Sequence, residues 1–346
     1  MNIGGVQTTV HAFASRLNTM KLHQPSIGWY NFPTLSVFTI LDRLLAGPHR
    51  DLRYIISSQP VLDLGCGDGD LTLLLSHLGF DVDAVDNPGT NANRMEGVRY
   101  LTQLVSSPAQ VHERDLDRLA ALPRPRYGLG IFLGVLYHLK NPFHALEQLA
   151  ATCEYVLIST RVVDGAQPTA YLVEPGELNA DPTNYWLLTP TALTRLLKRA
   201  GLEPIATTRE GATGDADAGL RDGRMYVLAK TKLASPVRLL DGWHAEEPTG
   251  FRWTARRFSF AGPPASRFRL KFVSTLDAIT LSGPGLPTQT FKGAGEHTYE
   301  AGLPGGGVAI ELDRAFTPPP PDRRQLGIAV ACDGGISLSG SPCGGT

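Results

Sequence analysis

The stretch Val61-Leu62-Asp63-Leu64-Gly65-Cys66-Gly67-Asp68-Gly69-Asp70 decides the fold of the larger part of the chain. A short apolar run predicts a buried strand, three glycines at alternate positions predict a turn, and Asp70 to Leu78 carries a helical pattern. Glycines let the backbone approach a ligand more closely than any Cβ permits. The spacing D-x-G-x-G-x-G differs from the dinucleotide fingerprint G-x-G-x-x-G, whose third glycine would fall where Asp70 stands. A carboxylate just before the glycines suits a cationic head such as the ammonium of S-adenosylmethionine and would repel a pyrophosphate.

Working outward, a second strand is expected at Val82 to Asp86, followed by the polar turn Asn87-Pro88-Gly89-Thr90-Asn91 and a helix around Gly97 to Val105. Further strands are expected near Val111 to Glu113, Leu129 to Leu133 and Tyr155 to Ser159, with a helix at Pro142 to Ala151. Thr189-Pro190 reads as an N-cap with proline at the first helical position, opening a helix that ends at Gly201. Strands at Pro204 to Thr208 and Met225 to Ala229 enclose a Gly/Asp/Ala loop from 211 to 223. Upstream, Leu35, Phe38, Leu41 and Leu45 share one face of an expected helix from Thr34 to Ala46. The fold class is thus α/β, a Rossmann-like doubly wound sheet.

After Lys232 the texture changes to FRWTARRFSF, RFRLKFVS, AITLSG, GVAIEL and LGIAVAC, separated by Gly and Pro, which predicts an all-β sandwich or barrel and a frayed tail SGSPCGGT. The expected division is a helical cap over 1–54, a cofactor-binding domain over 55–232 and a β-sandwich over 238–340.

Composition narrows the functions. A net charge of −1 gives no bulk attraction to nucleic acid or anionic membrane. Cysteines at 66, 153, 332 and 343 form no CxxC pair, so neither a zinc site nor a disulfide framework is expected, and no metal is assigned. No signal peptide or apolar run of membrane-spanning length is apparent, and the expected location is cytoplasmic, without membrane insertion. The oligomeric state is not legible.

Asp63, Gly65, Gly67 and Gly69 are the first cofactor candidates. Asp86, ending the second strand, can accept from ribose hydroxyls at the carboxyl edge of the sheet, and Asn87 continues that rim. Asp115 either reaches an adenine amino group or caps an exposed helix start. Leu133 closes the strand beside the turn. Cys66 reads as a small filler.

These residues resemble the class I S-adenosylmethionine-dependent methyltransferases over about residues 55 to 230. Within that class, LGVLYHLKNP (133–142) and NYWLLTP (184–190) are similar to the tRNA wobble-uridine carboxymethyltransferase family. The resemblance implies that Tyr137 helps bind the carboxylate of carboxy-S-adenosylmethionine, but Ser26 to Pro33 supplies no Lys or Arg to pair with it. Ordinary S-adenosylmethionine is therefore expected. Gly242-Trp243, FRWT at 251–254 and RRQLGI at 323–328 resemble a small β-sandwich domain appended to bacterial enzymes of surface-glycan assembly.

Methyl transfer is an in-line displacement in which positioning supplies much of the rate, and a base is needed only where the acceptor must lose a proton. For a hydroxyl acceptor His138 is the candidate base; alternatively it packs beneath the strand-helix turn. Tyr137 is a candidate for orienting the acceptor or facing the sulfonium. His144 and Glu147 read as surface residues. Trp29, Tyr30, Phe32, Tyr185 and Trp186 form core or line an acceptor pocket. Trp243 and Trp253 stack on sugars or fill the β core, and core is expected for at least one of them.

Three functions follow. The first is an O-methyltransferase acting on a saccharide or other hydroxylated small molecule or glycan. The second is a tRNA-modifying methyltransferase, and the third a non-catalytic S-adenosylmethionine- or glycan-binding module.

Overall fold

The computed structural model describes residues 1–118, 121–178, 180–211, 222–263, 267–303 and 307–339. The chain divides into two compact units, Met1–Ala234 and Ser235–Thr346.

In the first unit, five strands run parallel: β1 (Val61–Leu64), β2 (Val82–Asp86), β3 (Gln110–Glu113), β4 (Tyr127–Leu133) and β5 (Cys153–Val163). Two short strands, β6 (Ala170–Leu172) and β7 (Trp186–Leu188), extend the carboxyl end of β5, where Leu188 pairs with Val162. β8 (Glu203–Glu210) and β9 (Asp222–Lys230) complete the sheet, with β9 antiparallel between β5 and β8. The order is therefore β3-β2-β1-β4-β5-β9-β8, which is the doubly wound sheet expected.

Continuous apolar strands are what such a sheet requires, because helices cover both faces. Side chains alternate between two cores: Val61, Leu129, Ile131 and Leu157 face one, and Leu62, Phe132, Val156 and Ile158 the other. The first face is covered by α1 (Gln7–Leu22), α2 (Val37–Leu44), α3 (Leu52–Ile56), α4 (Asp70–His77) and α5 (Glu96–Leu104). The second is covered by α6 (Pro142–Thr152) and α7 (Pro190–Arg199). Thr189 caps α7, its hydroxyl accepting from the Ala192 amide, with Pro190 in the first turn as expected.

Three readings change. The helix expected from Thr34 to Ala46 begins as a 3-10 turn and is α-helical only over Val37–Leu44, where Val37, Phe38, Leu41 and Leu44 are buried. α1 and α3 were not foreseen; α1 buries only Val10, Phe13 and Leu17, too sparse a stripe to announce itself. β5 runs well beyond Ser159 because it pairs with β9 from Tyr155 to Val163. The 211–223 loop lies largely outside the described residues, and its last two residues already belong to β9.

The second unit holds the β-rich region expected. One antiparallel sheet runs β10 (Arg238–Leu239), β13 (Arg257–Ala261), β18 (Gly307–Leu312), β15 (Ala278–Gly283), β16 (Leu286–Lys292). The other runs β11 (Trp243–Glu246), β12 (Phe251–Thr254), β19 (Ala329–Ala331), β14 (Arg267–Ser274), β17 (Gly295–Gly302), with β20 (Ile336–Ser339) also on β14. Phe258 and Phe260 of one sheet and Phe268, Leu270 and Phe272 of the other enter a single apolar core. Trp243, half-buried, packs against it, edge-on to Phe258 at 5.1 Å, and its indole donates to the Ser259 carbonyl at 2.7 Å. Trp253 meets Phe316 edge-on at 5.4 Å. The tail after Ser339, Cys343 included, lies outside the described residues.

Candidate active site

Strand order reverses between β1 and β4, because the chain builds outward to β2 and β3 before returning on the other side. Loops leaving neighbouring strands then diverge and open a crevice at their carboxyl ends. The glycine turn leaves β1 there, with the Gly65 amide donating to the Val85 carbonyl at 2.7 Å. Gly65 and Gly69 both sit at φ +83. A Cβ on Gly65 would overlap the Val135 side chain, and one on Gly69 would lie 2.6 Å from Val98 Cγ2. Both need glycine for conformation and for space.

The candidate acids occupy distinct positions. Asp63 is 4% exposed and accepts from the Thr72 hydroxyl at 2.6 Å. Burial pushes its carboxyl up to about 6, against that hydrogen bond. Asp86 Oδ2 accepts from the Gly67 amide at 2.8 Å and the Asn91 amide group at 2.9 Å, and Oδ1 from the Asn87 amide at 2.7 Å. Three of about four acceptor positions are thus taken within the protein, which leaves room for roughly one further hydrogen bond. Burial also raises the Asp86 carboxyl above its ordinary value. Asn87 turns its side chain to the Gly89 amide at 2.9 Å, shaping the rim. Cys66 is buried, and burial pushes its thiol well up, as suits a filler.

Asp115 is exposed, and its Oδ1 accepts from the Asp117 amide at 3.0 Å, capping the 3-10 turn Leu116–Arg118. Leu133 is half-buried at the end of β4.

Sequence reasoning missed Asp68, Asp70 and Lys21. Lys21, from α1, bridges Asp68 Oδ2 at 2.9 Å and Asp70 Oδ1 at 2.7 Å. Asp68 also accepts from the Tyr30 amide at 3.0 Å and from the Asn93 side chain at 2.7 Å. The Tyr30 hydroxyl accepts from the Ala92 amide at 2.9 Å, and Lys21 lies over the Trp29 ring at 5.4 Å. Trp29 and Tyr30 are thereby fastened over the glycine turn and the start of α5. No spacing rule links residue 21 to residue 68, so the sequence carried no signal for this contact.

Four carboxylates, Asp63, Asp68, Asp70 and Asp86, thus surround the turn with Lys21 paired to two of them. Burial raises Asp63, Asp70 and Asp86 alike. A cation placed here would be favoured and an anionic pyrophosphate opposed. The turn, its glycines and this field fit S-adenosylmethionine, whose sulfonium and ammonium groups are both cationic.

A second cluster lies where β4 ends, beside Ser159 of β5. Gly134 donates its amide to the Ser159 carbonyl at 2.9 Å, and Tyr137 and His138 follow in a 3-10 turn with ring centroids 4.1 Å apart. Arg224, on β9, points its guanidinium at the Tyr137 hydroxyl (3.3 Å) and Ser159 Oγ (3.4 Å), and its Cα partner across the sheet is Arg161. His138 Nδ1 lies 2.9 Å from Thr183 Oγ1 and 3.2 Å from the Thr183 carbonyl. Tyr185 joins this cluster, its amide donating to the Tyr137 carbonyl at 2.8 Å. The proposed aromatic pocket therefore divides: Trp29 and Tyr30 sit on the glycine turn, Tyr185 and Trp186 beside Tyr137, and Phe32 is 70% exposed. Arg224 stood one residue before the strand expected at Met225, and Thr183 one residue before the NYW motif, which is why neither was singled out. His144 is half-buried and Glu147 exposed on α6.

Fold and crevice together define an α/β enzyme that binds a cationic nucleoside cofactor. Residues 38–207 match the family model described as a methyltransferase domain. The protein is an S-adenosylmethionine-dependent methyltransferase of class I. Among solved structures it is similar to the N-terminal domain of EvdMO1 with SAH bound (15% identity, 64% of this chain and 97% of that one, TM-score 0.44). It is also similar to a putative S-adenosylmethionine-dependent methyltransferase from Listeria monocytogenes (15% identity, 57% and 99% covered, TM-score 0.42) and to one from Mesorhizobium loti (16% identity, 56% and 97%, TM-score 0.41). No curated protein is significantly similar to the chain. No helix among the described residues is long and apolar enough to cross a membrane.

Proposed function

We propose that the enzyme O-methylates a saccharide or other hydroxylated small molecule, with His138 taking the hydroxyl proton. The observation that carries this reading is an imidazole at the carboxyl edge of β4, one turn past Gly134, whose pKa burial lowers from its ordinary value. A neutral imidazole at neutral pH can accept a proton, and an alcohol acceptor needs that help. Asp63, Gly65, Gly67, Gly69, Asp86, Asn87 and Leu133 would hold the cofactor, with Asp86 on a ribose hydroxyl and Asp115 toward the adenine. S-adenosylmethionine, when bound, supplies a methyl group on a positively charged sulfur that leaves with the electron pair of the broken bond. Tyr137 and Arg224 frame the acceptor side.

The test incubates the protein with methyl-labelled S-adenosylmethionine and cell extract separated into polysaccharide, small-molecule and RNA pools. Label in either of the first two pools, absent with Asp86→Ala and reduced at least 100-fold with His138→Gln, supports the reading. Label confined to the RNA pool overturns it.

Arg224 favours a second reading. Its guanidinium beside the Tyr137 hydroxyl supplies the cation that residues 26–33 lack, as a carboxylated donor of the wobble-uridine type requires. Tighter binding of carboxy-S-adenosylmethionine than of S-adenosylmethionine, lost with Arg224→Met, would support it. Equal or weaker binding would dismiss it.

A further inference from the structure

The loop before β7 holds His138 in a way that determines where its single proton resides. The Thr183 hydroxyl donates to Asp181 Oδ1 at 2.6 Å, so its one hydrogen is committed there. Oγ1 therefore faces His138 Nδ1, 2.9 Å away, as an acceptor. The second neighbour of Nδ1 is the Thr183 carbonyl at 3.2 Å, which has no hydrogen to give. Asp181 Oδ2 stands 4.0 Å from the same nitrogen. These three neighbours of Nδ1 among the described residues all face it as acceptors. The loop is itself fixed: Asp181 Oδ1 accepts from the Thr183 amide at 2.8 Å, and Asn184 donates to the Leu178 carbonyl at 2.9 Å.

We propose that Thr183 and Asp181 are positioning residues that keep the proton of neutral His138 on Nδ1, so that Nε2 carries the lone pair that accepts the proton of the methyl acceptor. The inference rests on the O-methylation reading for its catalytic meaning. In the step, the acceptor O–H bond would give its proton to Nε2 as its oxygen bonds the methyl carbon, the methyl–sulfur bond breaking with its electron pair left on the neutral thioether, and the resulting imidazolium would return that proton to solvent. Burial disfavours the imidazolium, as do Arg224 from β9 and Arg161 from β5, whereas the Thr183 carbonyl and the Asp181 charge favour it, with the Tyr137 ring tilted alongside. The ring is thus poised to gain a proton and then to lose it, as a recycling base must.

The experiment is nitrogen NMR of the full-length protein labelled at its nine histidines, with His138 assigned by His138→Gln. Wild type should show a protonated Nδ1 and an unprotonated Nε2. Thr183→Val should move the proton partly to Nε2, and Thr183→Ser should restore the wild-type pattern. Asp181→Asn should lower the His138 titration midpoint. A wild-type proton on Nε2, or a tautomer and midpoint indifferent to both Thr183→Val and Asp181→Asn, overturns the proposal. Where Thr183→Val does not fold, the wild-type tautomer and Asp181→Asn still decide. Once an acceptor is in hand, Asp181→Asn should shift the acid limb of kcat to lower pH with KM for S-adenosylmethionine within twofold. A wild-type proton on Nδ1 combined with undiminished turnover by His138→Gln would instead discard the base while leaving the tautomer intact.

Discussion

Asp63 shows how one residue can weaken the free protein and serve its ligand. Its carboxyl, pushed up to about 6 by burial, is ionised at neutral pH at a cost of about 3 kcal/mol relative to the ordinary 3.8. A raised folded-state pKa means that stability is intact below about 3.8 and is lost as pH rises through about 6. Asp63→Asn should therefore raise Tm at pH 8 and leave it nearly unchanged at pH 4, as calorimetry at the two pH values would show. The same substitution removes a negative charge from beneath the cofactor, so S-adenosylmethionine should bind at least tenfold more weakly at pH 8 by titration calorimetry. In wild type that affinity should climb between pH 4 and 6 as the acid ionises. Gly65→Ala adds a Cβ at φ +83 against Val135, and binding should fall by two orders of magnitude or more; wild-type affinity would show that the turn can shift. Asp63 and the glycines were legible because backbone conformation and local charge are written in adjacent residues. Arg224 and Thr183 were not, because their meaning comes from strands and loops that only the fold brings to His138.

At the scale of elements, the parallel strands and their helices were read from apolar runs and caps, while α1 was missed. Besides its buried side chains it carries Lys21, which joins it to Asp68 and Asp70 across nearly fifty residues. Lys21 and Asp68 are almost fully shielded, so removing the lysine leaves buried carboxylates uncompensated, at a cost of about 3–5 kcal/mol. Lys21→Met should lower Tm, and it should speed hydrogen exchange of residues 24–30 more than that of β1 and β4. Adding S-adenosylmethionine, whose positive charges restore the balance, should recover much of that protection. If exchange accelerates uniformly instead, α1 stabilises the unit as a whole and has no separate hold on the segment over the glycine turn. Loss of Asp68 alone should loosen the same segment, because Tyr30 and Asn93 share its carboxylate.

At the scale of the whole molecule, the change in texture after Lys232 was legible because helical and strand periodicities differ, and the chain divides into its two compact units between Ala234 and Ser235. Several strands of the second unit, β16 and β17 among them, escaped notice because their exposed faces carry Thr, Gln, Glu and His between few apolar residues. Each unit nevertheless owns its core: Phe258, Phe268 and Leu312 belong to one cluster, and the residues flanking the parallel sheet to two others. Every residue assigned to the cofactor and to His138 lies before Ala234. A chain ending at Ala234 should therefore fold, bind S-adenosylmethionine with a Kd within twofold of the full chain, and unfold in a single transition. The full chain should show two transitions, of which S-adenosylmethionine raises only one. If the shortened chain binds normally yet no longer methylates the acceptor, the β-rich unit takes part in recruiting it. If binding itself is lost, the methyltransferase unit depends on the second unit for its fold, and the two cores are not independent.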